Sequence, residues 1–221
     1  MKNIFKNLFF ISICLIAIIF IYAIANYFKP FEKINNLNSL YGEVKILVID
    51  NQEFRDLNKN GILDKYEDRR LAADIRSDDL LSKMTIDEKI GQMFHPPFIL
   101  KPDLFMFLYE IAIRGNKLTE TQILQDNITH FNLYGNPNPN TLGRKINKLQ
   151  KIASKTRLGI PITISSDPIH EVSKGGGIAS FSVDGFSKWP SQLGFAATQD
   201  SQVVMEFAKI VKEEYLAVGI R

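Results

Sequence analysis

The sequence is short of several things that would have pointed to a function at once. It has one cysteine, Cys14, in 221 residues. No disulfide framework can form, and no Cys/His metal cluster can be assembled. There are only three histidines, His95, His130 and His170, each isolated in the chain. A single tryptophan, Trp189, precedes Pro190 and reads as structural rather than as a sugar-stacking platform. The formal net charge is only +3, with no basic stripe interleaved with aromatics, so nucleic acid is not an expected partner. No G-x-G-x-x-G or P-loop pattern surrounds Gly175-Gly176-Gly177, and no Ser-His-Asp order stands out.

What is present begins with one long apolar run. From Leu8 to Ala25 only Ser12 is clearly polar, and Lys2 and Lys6 precede it. A positive segment followed by an apolar one is the pattern of export. Ala23-Ile24-Ala25 fits a cleavage site, and about 18 to 20 apolar residues can also just span a bilayer. Residues 1–26 are therefore expected to be a signal peptide or a membrane anchor, with the rest periplasmic or extracellular. Ile13 before Cys14 is not the small residue that lipidation requires.

Residues 27–70 read as a linker and leader. Glu43–Asp50 has strand composition, and Asn51–Asp68 is polar and turn-rich. Inside the latter, Asp56, Asn58, Asn60, Gly61 and Glu67 fit the spacing D-x-[DN]-x-[DN]-G-x5-E. Alternate oxygens of such a loop converge on a cation, the seventh position (Ile62) offers its carbonyl, and Asp64 stands at the ninth. A structural calcium ion is one expectation over 56–67. An Asx-rich turn that bonds its own backbone is the other.

From residue 71 onward helices and strands alternate. Helices are expected over Leu71–Met84 with Leu80 and Leu81 on its apolar face, and from Thr85, where Thr85 and Glu88 form a capping box. Ile90 and Met93 are expected to face inward. An apolar helix is expected over Asp103–Ile113, a short one over Thr119–Gln125, and a strand over Ile128–Leu133. Thr141–Arg157 carries Leu142, Ile146, Leu149 and Ala153 on one stripe. Gly159 turns the chain into a strand over Ile162–Ser166. A last helix spans Asp200–Ala217 with Val203, Val204, Phe207, Val211 and Tyr215 on one face, and Ile220 opens a further strand. This order predicts an α/β fold with a parallel sheet. A complete (β/α)8 barrel takes roughly 250 residues, so residues 71–221 are expected to be an incomplete, truncated one.

Among the carboxylates, Asp167 follows the strand Ile162–Ser166, where loops form the active face of such sheets. A carboxylate there can accept bonds from vicinal sugar hydroxyls; it can equally cap a turn. His170, in the same loop, reads from position alone as a solvated histidine.

Several blocks together resemble family 3 glycoside hydrolases of the β-glucosidase type. They are Phe54–Asp68, Asp79–Met93, Arg157–Pro161 through Ser166–His170, Phe186–Pro190 with Leu193–Thr198, and Glu214–Arg221. The resemblance implies the first part of a TIM-barrel-like domain. It implies a retaining exo-hydrolase that releases non-reducing-end β-linked glucose from a β-glucoside or oligosaccharide, with no cofactor needed for catalysis. Asp167 matches the family's aspartate that binds sugar hydroxyls, and His170 a histidine of the same block with a lesser role. The family's nucleophile lies downstream of the matched blocks, so no catalytic residue is assigned, Glu171 and Asp184 included, and the chain alone is expected to be inactive. The alternatives are a membrane-tethered remnant that binds sugar or calcium, and a β-N-acetylhexosaminidase of the same family.

Overall fold

The computed structural model describes residues 9–22, 24–25, 43–100, 119–134, 138–166, 170 and 185–221. The helix expected over Asp103–Ile113, the Gly175–Gly177 loop, Asp167, Glu171 and Asp184 lie outside the described residues. Residues 9–22 are helical with their side chains exposed. Among the described residues no helix is long and apolar enough to cross a membrane.

The leader opens as a hairpin. β1 (Lys45–Ile49) and β2 (Gln52–Asp56) pair antiparallel, with Ile49 opposite Gln52. Asp50 and Asn51 make the two-residue turn, at φ 53° and 60°. Left-handed backbone at both central positions is what a tight hairpin needs, and Asp and Asn tolerate it. The second strand was not expected, because QEFRD is mostly polar. It forms because Phe54 and Asp56, two residues apart, point to one side and are buried there.

Two short helices follow, α1 (Ala73–Lys83) and α2 (Ile86–Gly91). The capping box is complete. Thr85 Oγ1 accepts from the Glu88 amide at 3.2 Å, and Glu88 Oε2 accepts from the Thr85 amide at 2.9 Å. The expected inward faces are not buried: Leu81 is 51% exposed, Ile90 47% and Met93 83%. These helices are held by polar contacts instead. Arg157 donates to both carboxylate oxygens of Glu88 and to the Lys83 carbonyl, the last at 2.9 Å.

The sheet proper is parallel, in the order β3 (Pro97–Ile99), β4 (His130–Tyr134), β5 (Thr163–Ser165). Phe131 lies opposite Ile164, and Asn132 opposite both Pro97 and Ser165. Ile220 then bridges to Ile164 in parallel, on the free side of β5. Three helices connect these strands: α3 (Thr119–Gln125), α4 (Pro139–Ala153) and α6 (Ser201–Val218), the last preceded by α5 (Gln192–Thr198). The stripe of α4 packs as its spacing predicts. Leu142, Ile146, Leu149 and Ala153 are all buried, against Phe98, Phe131, Leu133 and Ile164 of the strands. On α6 the expected face is uneven: Val211 is buried but Val204 is 43% exposed.

Two glycines fix the chain path. Gly219 ends α6 at φ 92°, and a Cβ there would sit 2.9 Å from Ile146 Cγ2. Gly159 turns at φ 58°, and a Cβ there would meet the Leu57 carbonyl at 2.8 Å. The leader is thus seated directly on the entry to β5.

The Glu88–Arg157 contact generates a pH prediction. Burial alone would raise the Glu88 pKa, but the Arg157 and Thr85 bonds outweigh it and hold the carboxyl below its usual range. Its stabilisation is therefore complete above a glutamate's ordinary pKa of about 4.3 and is lost as pH falls through the lower folded value. We expect Glu88→Gln to cost about 1.5–3 kcal/mol at pH 7 in urea denaturation. Below about pH 4 its stability should approach that of the unsubstituted chain; a penalty that persists unchanged at pH 3 would assign it to packing.

Candidate functional site

The strands alternate cleanly. On β4, Phe131 and Leu133 are buried under the helices, while His130, Asn132 and Tyr134 point the other way. On β5, Ile164 faces the helices, and Thr163 and Ser165 face out beside them. The sheet therefore has one apolar, covered face and one polar, half-exposed face. His95, just before β3, joins the second.

Hydrogen bonds organise this polar face. Ser165 Oγ lies 3.0 Å from Asn132 Oδ1 and 2.9 Å from His95 Nε2. The single hydroxyl hydrogen donates to Asn132, so His95 Nε2–H donates to Ser165. That polarity gives Ser165 no base, and it is not an activated nucleophile. The Thr129 hydroxyl donates to Gln92 Oε1 at 2.5 Å, so His130 Nδ1–H donates to Thr129 Oγ1 at 3.1 Å. The His95 and His130 rings meet edge to face with centroids 6.4 Å apart. Burial, and then the neighbouring His95, lower the His130 pKa, so it stays neutral at pH 7. Read one at a time in the sequence, these histidines are isolated. The signal that could have joined them was the period-2 alternation of HFNLY, which puts His130 and Asn132 on one face.

The exit of β5 leads through Ser166 to Asp167, which lies outside the described residues. His170 is described, and it is not the solvated histidine expected from its loop position: it is only 4% exposed. Phe186 stacks on it at 5.3 Å, and Tyr215 and Phe207 flank it at 5.3 and 6.0 Å. Its Nε2 lies 3.0 Å from Glu214 Oε2. Burial lowers the His170 pKa, and the Glu214 carboxylate only partly offsets this. Trp189 packs on Phe195 and Phe207, which supports its structural reading.

The 56–67 loop closes on protein groups. Asp56 accepts from the Asn60 and Gly61 amides at 3.0 and 2.9 Å. Glu67 accepts from the Leu57 and Asn58 amides and from the Asp64 amide. Asp64 accepts from the side-chain amides of Asn58 and Asn60 and pairs with Lys83 at 2.8 Å. The Asn60 side-chain oxygen accepts from the Ile62 amide at 2.8 Å. Among the described residues no group of three or more His, Cys, Asp or Glu is gathered to hold a metal. The side chains of the calcium-type loop, Asp56, Asn58, Asn60, Asp64 and Glu67, thus bond N–H groups of the same loop, and Asp64 also pairs with Lys83. Tyr66 and Lys59 carry the loop onto the sheet's entry, donating to the Leu158 and Thr156 carbonyls at 3.1 and 2.5 Å. Burial lowers the Lys59 pKa to about 8 despite Asp56 and Glu67 nearby.

Strands and helices that alternate along the chain, with a parallel sheet carrying one covered apolar face and one open polar face, define an α/β domain. Residues 85–221 match the Glycosyl hydrolase family 3 N terminal domain, and the chain belongs to that family. It is similar to Beta-glucosidase C of Emericella nidulans, 44% identical over 167 residues, which are 75% of this chain and 26% of that protein. It is similar also to a Periplasmic beta-glucosidase/beta-xylosidase of Dickeya chrysanthemi, 41% identical over 177 residues, 79% of this chain and 26% of the relative. A Probable beta-glucosidase C of Aspergillus oryzae is 41% identical over 160 residues, 71% of this chain and 24% of its own length. The chain spans about a quarter of the length of these curated relatives.

The buried Asp56 carboxylate is the keystone of the loop. We expect Asp56→Ala to strip two amides of their acceptor and cost about 2–4 kcal/mol in chemical denaturation, and Asp56→Asn to cost roughly half as much. Equal costs for the two would mean that packing, not hydrogen bonding, is what the residue supplies.

Proposed function

We propose that this chain supplies the glucose-holding portion of an exported, retaining exo-β-glucosidase. The identity of 44% to a protein named as a β-glucosidase supports the reaction class. The single observation that carries the site is the direction of β5: it runs parallel to β4 and delivers its C-terminal end, Ser165-Ser166, to Asp167. On this reading the sheet is the opening part of a (β/α)8 barrel. Its polar face, with His95, His130, Asn132 and Ser165, is turned to the barrel's interior.

In such a mechanism a nucleophilic carboxylate and an acid/base carboxyl lie about 5–5.5 Å apart across the glycosidic bond, and the transition state resembles an oxocarbenium ion. Neither group is assigned within this chain. The role left to Asp167 is to accept hydrogen bonds from vicinal hydroxyls of the non-reducing-end sugar. As positive charge develops on the ring, those bonds strengthen and the carboxylate's charge helps to balance it. His170 sits three residues on and takes a supporting part.

The test uses the full chain. We expect no turnover of a chromogenic aryl β-glucoside, together with weak binding of D-glucose by NMR titration. Asp167→Ala should weaken that binding roughly 10- to 100-fold, the loss of one or two charge-assisted hydrogen bonds. Turnover that vanishes in Asp167→Ala would overturn the inactivity and require catalytic carboxylates inside this sequence. Glucose binding indifferent to Asp167 would overturn the assigned role.

A further inference from the structure

Asn60 is followed by Gly61, and no other asparagine in the chain precedes a glycine. Such a pair is open to a reaction that needs no enzyme. The glycine amide nitrogen loses its hydrogen and bonds the asparagine side-chain carbon, ammonia leaves, and a succinimide ring is closed. Water then opens the ring at either carbonyl, giving aspartate or isoaspartate. Glycine permits the attack best, because it has no Cβ to obstruct the approach. Both residues are exposed, so water reaches them.

The closed loop withholds each part of that reaction. The nucleophile is engaged, since the Gly61 N–H donates to Asp56 Oδ2 at 2.9 Å. Asp56 is only 1% exposed. A carboxylate is far too weak a base to take an amide hydrogen, and its charge disfavours a second negative charge on the nitrogen beside it. The group to be attacked is engaged at both ends. Asn60 Oδ1 accepts from the Ile62 amide at 2.8 Å, and Asn60 Nδ2 donates to Asp64 Oδ2 at 2.8 Å. Asp64 is itself anchored by Lys83 at 2.8 Å and by the Asn58 side chain at 2.6 Å. The backbone is pinned as well: the Asn60 amide donates to Asp56 Oδ1 at 3.0 Å, and Gly61 stands at φ 79°. Ring closure needs the side-chain carbon brought onto the Gly61 nitrogen, so the bonds to Asp56 and Asp64 must break together.

We propose that Asn60 is a latent deamidation site: the Asp56 and Asp64 carboxylates keep it as asparagine while the loop is closed, and opening of the loop commits it to aspartate or isoaspartate. The change is one-way. Either product loses the Nδ2 donor to Asp64 and sets a new carboxylate beside those of Asp56 and Asp64. Isoaspartate also lengthens the backbone by one carbon. The loop then cannot close as before, and it is this loop that places Lys59 and Tyr66 on the Thr156 and Leu158 carbonyls. The chemical state at 60 is thus a running record of how often the leader has opened.

The experiment follows Asn60 by mass spectrometry in the full chain held at pH 8. Samples are quenched in acid and cut with pepsin, and the peptide spanning Asn60-Gly61 is read for the exchange of NH2 for OH. The chain unfolded in guanidinium and a synthetic peptide of residues 56–65 give the unrestrained rate. The folded chain should convert at least roughly tenfold more slowly than either, because only its open fraction reacts. Asp64→Ala frees Nδ2 and leaves Asp56 in place; where circular dichroism shows it folded, it should convert at least threefold faster than the unsubstituted chain. A folded chain that converts as fast as the peptide would overturn the proposal without any variant having to fold. So would an unfolded chain that keeps its asparagine, or a folded Asp64→Ala chain that converts no faster than the unsubstituted one.

Discussion

The constraint on which the described structure depends is that the parallel sheet can be covered on one face only by what α3, α4 and α6 bring to it. Phe98, Phe131 and Ile164 are wholly buried under that layer and Leu133 nearly so, while Leu142 and Leu149 of α4 are wholly buried against them. Each such side chain removed from water contributes about 1.5–3 kcal/mol before entropy is counted. Backbone groups follow suit, since each strand's hydrogen bonds go to the neighbour that the same layer brings close. Because side chains alternate along a strand, burying Phe131 and Leu133 obliges His130, Asn132 and Tyr134 to face the other way. The polar surface is a consequence of how the apolar one is packed.

β5 is the strand that leads to the proposed sugar site, and contacts flank it on both sides. Upstream, Arg157 grips Glu88, Lys59 and Tyr66 bind the Thr156 and Leu158 carbonyls, and Gly159 admits Leu57. Downstream, His170 is caged by aromatics and tied to α6 through Glu214. Between these anchors lie only Ile160 to Ile169.

Much of the fold could be read before any coordinates. The stripe of α4 is regular, the Thr85–Glu88 box is complete, and Gly219 stops α6 where the pattern ends; each is a local rule obeyed locally. The failures have a common cause. Leu81, Ile90 and Met93 were expected inside on spacing alone, but spacing names a face without naming what covers it. β2 was missed because its inward residues include a carboxylate, Asp56, whose burial is intelligible only once its two amide donors are known. The site was half legible. Asp167 is nominated by strand position and resemblance and His170 by resemblance, whereas the meeting of His95 with Ser165, and of Glu214 with His170, depends on pairings that span 70 and 44 residues. No local pattern encodes those.

The seating of the 43–68 leader on the entry side of β5 divides the strand into two territories. Lys59, Tyr66 and Leu57 of the leader meet residues 156–159, before Thr163, and the residues proposed for sugar binding, Asp167 and His170, lie beyond Ser165. On the proposed reading, substitutions in the leader change folding yield and those at the exit change recognition. A library that varies 43–68 and one that varies 165–170 can be screened separately, the first for soluble protein and the second for binding, and their best members combined with little interference.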